Sequence, residues 1–228
     1  NSGNVLRMQR EPLAKLTEEQ LGERLYPTTS PELVMAYPKD VLLQRLDAQL
    51  QKQSPHGEMG RGKTLVVSML TDAFSPPVAT DGTTRSVVEM LLHRTSCRLR
   101  ILTKFSRVAS QEWLELWSAH KDRVVIGLSI GTLDGKWAQE VEVNTSTPLA
   151  RLHALQRLQD AGVPTFGMAC PIFPDVLQGD ELERLVEAIR PTKCETFWFE
   201  PYNSRGNWME VQRGYEPNSP GWRWFQRV

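Results

Sequence analysis

Polar residues close five separate apolar runs of this chain. Ser68, Thr71 and Asp72 end the first, Thr103 and Lys104 the second, Ser129 and Thr132 the third, Pro171 and Asp175 the fourth, and Glu200 and Asn203 the fifth. If the runs are parallel strands of one sheet, their C-terminal ends share a rim where loops and helix N-termini converge and ligands bind. A hydroxyl, a carboxylate or a cation at every rim position is suited to recognising a small, polar, charged molecule. For any one of these residues a wet loop is explanation enough, so the information lies in the set. Lys104 says most, because a partly buried lysine directly after an apolar strand calls for a carboxylate partner. The carboxylates Asp72, Glu142, Asp175 and Glu200 offer a different chemistry, a hard-oxygen site for Mg²⁺.

Other motifs lead away from chemistry. Gly57-Glu58-Met59-Gly60-Arg61-Gly62-Lys63-Thr64 spells a phosphate-binding P-loop, but that loop works between a preceding strand and a following helix. Here a helical pattern comes before it and the strand-like Leu65-Val66-Val67-Ser68-Met69-Leu70 after it. His56, His93, His120 and His153 lie far from any recognisable nucleophile and lack an i, i+4 metal partner, which points to surface or capping roles. Cys97, Cys170 and Cys194 are too far apart for a metal clip and too few for a disulfide framework, and read as small buried hydrophobes in a reducing compartment.

The elements that must hold the rim are legible as periodicity. Short apolar runs alternate with longer segments of helical period, the pattern of βα units on a parallel sheet. Strands are predicted at 64–70, 98–103, 123–129, 163–169 and 195–200, and helices at 82–93, 110–119, 147–161 and 179–190. Leu149, Leu152, Leu155 and Leu158 share one helix face, as do Leu182, Leu185, Val186 and Ile189. Residues 1–37 are a polar, proline-punctuated excursion in which Thr17-Glu18-Glu19-Gln20 caps a short helix running to about Leu25. Residues 38–203 form the α/β body, opened by an amphipathic helix at 38–52, and 204–228 are a tail interleaving Trp208, Tyr215, Trp222, Trp224 and Phe225 with arginines.

The helix at 38–52 has no strand before it, although βαβ logic asks for one, so a further strand is expected upstream of Asn1 and the chain reads as a fragment. Basic and acidic residues balance at 27 each, which provides no global field for nucleic acid or membrane. No apolar run approaches the ~20 residues of a membrane span and no signal peptide is visible, so a cytoplasmic location is expected.

In order and spacing, several of these segments resemble the radical S-adenosylmethionine (SAM) proteins of the spore photoproduct lyase type. They are Ser68-Met69-Leu70-Thr71-Asp72, Thr84-Arg85, Leu102-Thr103-Lys104, Leu128-Ser129-Ile130, Glu142 with Arg151-Leu152, Ala161-Gly162-Val163, Pro171-Ile172-Phe173-Pro174 and Phe199-Glu200, spanning about 38–203. The resemblance implies a partial (βα)6 TIM-like parallel barrel whose first strand is not in this chain. It also implies SAM across the strand ends beside a [4Fe-4S] cluster, a reductant protein, and reductive SAM cleavage to a 5′-deoxyadenosyl radical. By position, Ser68 and Asp72 would lie at the amino acid moiety, Lys104 at its carboxylate and Ser129 at the ribose, with Thr71 and Glu200 also at the cofactor. Arg151 would either pair with Glu142 or reach the SAM carboxylate. The likeness and the tail's Trp/Arg pattern together raise nucleic acid as a substrate, with Trp224 as a stacking candidate.

This chain departs from that family at its defining Cys-x3-Cys-x2-Cys loop, a spacing found nowhere in it. Without three such thiolates no cluster is held. Two rivals therefore stand beside a radical SAM domain: a binding module of the same fold without a cluster, and a metal-dependent enzyme using the rim carboxylates.

Overall fold

The computed structural model describes residues 25–27, 33–35, 38–53, 60–67, 72–76, 78–142, 144–172, 179–202 and 212–226. Its centre is a five-stranded sheet in the sequential order β3 (Thr64–Val67), β4 (Arg98–Thr103), β5 (Val124–Ser129), β6 (Thr165–Ile172) and β7 (Thr196–Pro201), with every neighbouring pair parallel. Parallel neighbours need long crossovers. These contain α2 (Thr83–Arg94), α3 (Gln111–Ala119), α4 (Gly135–Val141) with α5 (Pro148–Asp160), and α6 (Glu181–Ile189). The architecture is α/β, an open parallel sheet with helices that corresponds to part of a TIM-like barrel.

Alternation along the strands sorts side chains onto two faces. Leu99 and Ile101 of β4 and Val124, Ile126 and Leu128 of β5 join Val88 and Leu91 of α2, Trp117 of α3, Leu155 and Leu158 of α5, and Leu185 and Ile189 of α6 in one core. The opposite face carries Arg98, Arg100 and Leu102, then Val125, Gly127 and Ser129, then Phe166, Met168 and Cys170, then Thr196, Trp198 and Glu200. This inner face is also organised. A Cβ at Gly127 would come within 2.4 Å of the Phe166 ring, so only glycine lets that ring lie across β5. The Arg100 guanidinium then sits 3.7 Å from the ring centroid, a cation-π contact.

Several boundaries differ from the sequence expectation, each for a local reason. Leu25–Pro27 (β1) pairs antiparallel with Leu33–Met35 (β2), so the expected helix does not extend to Leu25, while residues 17–24 lie outside the described ones. Tyr26 precedes a proline and is thereby biased to extended backbone, and two apolar triplets flank a Thr-Thr-Ser-Pro turn composition. The strand expected from 163 begins at Thr165, because Pro164 has no N–H to give the ladder, although its carbonyl accepts from Ile126 N at 2.9 Å. α4 is a further element, started by the Asp134 side chain accepting from the amides of Lys136 and Trp137.

α1 (Lys39–Gln53) matches the expected first helix and is preceded, among the described residues, by the β1–β2 pair. Near the C-terminus, α7 (Pro220–Phe225) turns Phe225 into the core beside Tyr202 and Tyr215, and Tyr215 lies 4.0 Å from the Trp137 ring centroid. Trp224 meets Phe225 edge-on, with ring centroids 4.9 Å apart. Among the described residues no helix is long and apolar enough to cross a membrane.

Candidate functional site at the C-terminal rim of the sheet

Asp72 ties β3 to β4. Its Oδ1 accepts from Thr103 Oγ1 at 2.7 Å and from Phe74 N at 2.9 Å, and its Oδ2 accepts from Lys104 N at 2.7 Å. Three bonds take most of a carboxylate's roughly four acceptor sites. The backbone of Lys104 is thereby fixed and its side chain projects along the inner face.

Lys104 meets Glu142, whose carboxylate is the hub of the site. The Lys104 ammonium donates to Glu142 Oε1 and the Arg151 guanidinium to Glu142 Oε2. Arg151 also donates through Nη1 to Ser129 O at 2.7 Å and through Nε to Ser146 O at 2.9 Å. Its side chain is 1% exposed, that of Glu142 4% and that of Lys104 30%, so two members of this triad are sealed in and the third reaches solvent. Burial acts to raise the Glu142 carboxyl. The charges of Lys104 and Arg151, with a hydrogen bond from each, overcome that and hold it below the usual carboxylate range.

Local sequence explains why Arg151 points here. Thr147 Oγ1 caps α5 by accepting from Ala150 N, and Pro148 sets the first turn. Arg151 follows one turn in, and helical side chains lean back toward the N-terminus, which here is the rim. Of the two partners considered for Arg151, the structure shows Glu142.

Ser129 and Glu200 complete the arc. Ser129 Oγ donates to the Cys170 carbonyl, and Cys170 Sγ donates to Glu200 Oε2 at 3.8 Å. Burial, seconded by the Glu200 carboxylate, pushes the Cys170 thiol up to about 11 against an opposing pull from Lys104. Asp72, Lys104, Arg151, Ser129 and Glu200 thus lie along one rim. Thr132 is elsewhere, accepting from Asp134 N at the start of α4. Ser68, Thr71, Asp175 and Asn203 fall outside the described residues.

Sequence reasoning undervalued two groups. Glu142 figures there only as a partner for Arg151 or as one of four metal candidates, yet it joins the two cations. Cys170 figures as an inert hydrophobe and instead connects Ser129 to Glu200.

The donor set can be tested against the groups the fold suggests. Lys104 uses one of its three donors on Glu142, Ser129 retains acceptor capacity, and Glu200 is exposed. A cation, a hydroxyl and a carboxylate at the ends of β4, β5 and β7 fit the carboxylate, ribose and ammonium of an amino acid nucleoside. An iron-sulfur cluster does not fit. Cys97 precedes β4 and Cys194 precedes β7 at the N-terminal end of the sheet, whereas Cys170 is near the opposite end, and none of the three forms a disulfide. Among the described residues no group of three His, Cys, Asp or Glu is arranged to hold a metal ion. Asp72 and Glu142 already direct both oxygens at N–H, hydroxyl and cationic donors, which weighs against Mg²⁺.

No family model matches the chain. It is 28% identical over 156 residues to the ORF301 protein of Acidianus two-tailed virus, a match covering 66% of this chain and 50% of that one. It is 24% identical over 160 residues to the MJ0683 protein of Methanocaldococcus jannaschii, covering 70% and 58%. Among solved structures, a spore photoproduct lyase variant with bound AdoMet (SAM) and dinucleoside spore photoproduct superposes with a TM-score of 0.52 at 16% identity, covering 84% of this chain and 54% of that one. A second variant of that lyase gives 0.53 at 18%, covering 83% and 54%. The chain spans about half the length of the proteins it matches. What it shares with spore photoproduct lyase is the fold.

Proposed function

We propose that this chain is the SAM-binding part of a larger radical-SAM-type enzyme, with the ligand held along the rim from Lys104 to Glu200. One observation carries the reading. Lys104, Ser129 and Glu200 stand at the C-terminal ends of parallel strands β4, β5 and β7, on the inner face of a fold shared with a lyase that binds AdoMet. In this reading Lys104 pairs with the SAM carboxylate, Ser129 with a ribose hydroxyl, and Glu200 with the ammonium. Asp72 and the buried Glu142–Arg151 pair position Lys104, and Ser68 and Thr71, just before Asp72 in sequence, are further candidates for contact with the ligand. SAM supplies a sulfonium-activated carbon. Because these cysteines do not converge on a cluster, no reaction step is assigned to the chain itself. The [4Fe-4S] ligands, the reductant protein and any nucleic acid substrate belong, in this proposal, to the whole protein.

Calorimetric titration with SAM tests the reading. Lys104→Ala is expected to weaken binding about tenfold or more, since bonds to charged groups contribute roughly 1.5–3 kcal/mol, while far-UV circular dichroism stays unchanged. SAM affinity equal in wild type and Lys104→Ala rejects it. The scattered cysteines favour a second reading, a module that binds without cleaving. Iron, sulfide and SAM cleavage under reducing conditions, measured on the full-length protein beside this chain, separate the two: absence of all three from the full-length protein leaves the module.

A further inference from the structure

On the outer side of the sheet, a cavity of about 490 Å³ opens between the 3-10 turn Ser106–Ala109 and α5. Its polar lining is Arg107, Arg157, His153, Ser106, Ser110 and Ser146, with no carboxylate among the lining residues. Several described arginines meet an acid, as Arg85 meets Glu89, Arg94 Asp47, Arg98 Glu195 and Arg190 Asp160. The two arginines here are different. Among the described residues, Arg157 donates only to the neutral Gln111 Oε1, at 3.1 Å, and the Arg107 side chain has no ion-pair partner. The hydroxyls of Ser106 and Ser146 lie 3.1 Å apart. Two hydroxyls sharing one hydrogen bond leave a second proton free to donate.

Two guanidinium groups without carboxylate partners, beside a free hydroxyl donor in a concave site, suit an anion. The volume is in the range of pockets for molecules of nucleotide size, and Phe105 and Ala154 add an apolar wall. We infer that this cavity binds a phosphate group, carried by a nucleotide or by a nucleic acid backbone. It stands apart from the rim reading, since Lys104 and Glu200 are not among its lining residues. The two are nonetheless adjacent, because Ser146 N donates to Lys104 O at 3.1 Å.

Calorimetry on the whole chain with adenosine, 5′-AMP, inorganic phosphate and a short single-stranded oligonucleotide tests the inference. AMP is expected to bind at least about tenfold more tightly than adenosine, with inorganic phosphate competing. Arg107→Ala and Arg157→Ala are each expected to cost about tenfold. Glu112, which accepts from Ser110 Oγ at 3.5 Å, opposes an anion, so Glu112→Gln is expected to tighten binding about twofold. That gain cannot arise from misfolding. An oligonucleotide that binds more tightly than AMP, with a salt slope lowered by about one per arginine removed, identifies backbone phosphate as the source. Equal affinities identify the mononucleotide. Equal binding of adenosine and AMP, or an Arg107→Ala/Arg157→Ala double variant that binds AMP like wild type, overturns the inference.

Discussion

The two ends of the sheet solve the same problem differently. At the C-terminal end, Arg151 and Glu142 form an ion pair with side chains 1% and 4% exposed. At the N-terminal end, Arg98 reaches past β5 and β6 to Glu195 with side chains 34% and 42% exposed. Both are arginine–glutamate pairs, but water screens one and not the other. A screened pair contributes little, because solvent competes for each partner. A sealed pair gains its full importance when one member is removed, since the other is left charged and buried. The rim is therefore stiff beneath, with only Lys104 of its triad open to an incoming ligand. The opposite end is an ordinary solvated surface.

The largest expected effect comes from breaking the sealed end. Arg151→Ala should destabilise by about 3–5 kcal/mol, as for other broken buried pairs. At roughly 2–4 °C per kcal/mol, that lowers Tm by on the order of 10 °C in a thermal melt. A loss no larger than that of Arg98→Ala would erase the contrast between the ends.

A pH series sharpens it next. The folded Glu142 carboxyl is held below its ordinary value of 4.5, so its stabilisation is complete above that pH and fades as pH falls through the folded value. The Tm gap between wild type and Glu142→Gln should accordingly be widest near neutrality and close below pH 4.5. A gap independent of pH would mean that Glu142 acts through shape alone.

Lys104→Ala should be milder in stability, about 1 kcal/mol in denaturant unfolding, because Lys104 is 30% exposed and Arg151 still neutralises Glu142. Its main readout is ligand affinity. Smallest of all, Arg98→Ala should cost less than about 1 kcal/mol, and that cost should shrink with added salt. A larger and salt-independent loss would show that Arg98 matters by packing.

The five strands, four of the crossover helices and α1 were legible because side-chain periodicity is local. Leu99, Ile101 and Thr103 alternate with partly exposed neighbours along β4, and this pattern is visible in sequence without knowing what β4 packs against. α4 was harder. Its signal is one capping aspartate and about two turns around Trp137, in a segment where glycine opens the helix. The β1–β2 pair rests on two triplets, too short for alternation to register.

At the rim, polar residues after strands were readable one by one, and so was the expectation that Lys104 needs an acid. The identity of that acid was not readable, because Glu142 is 38 residues away and is brought within reach as the C-cap of α4.

By itself the sequence determined the alternation of strands and helices and the polar character of each strand end, since both follow from residue type at short spacing. Tertiary structure alone decided that Glu142 joins Lys104 to Arg151, that Cys170 faces Glu200, and that Arg107 and Arg157 share a cavity. Ion pairing and desolvation depend on strand order and on which loops lie side by side, and neither is encoded in any local window of the chain.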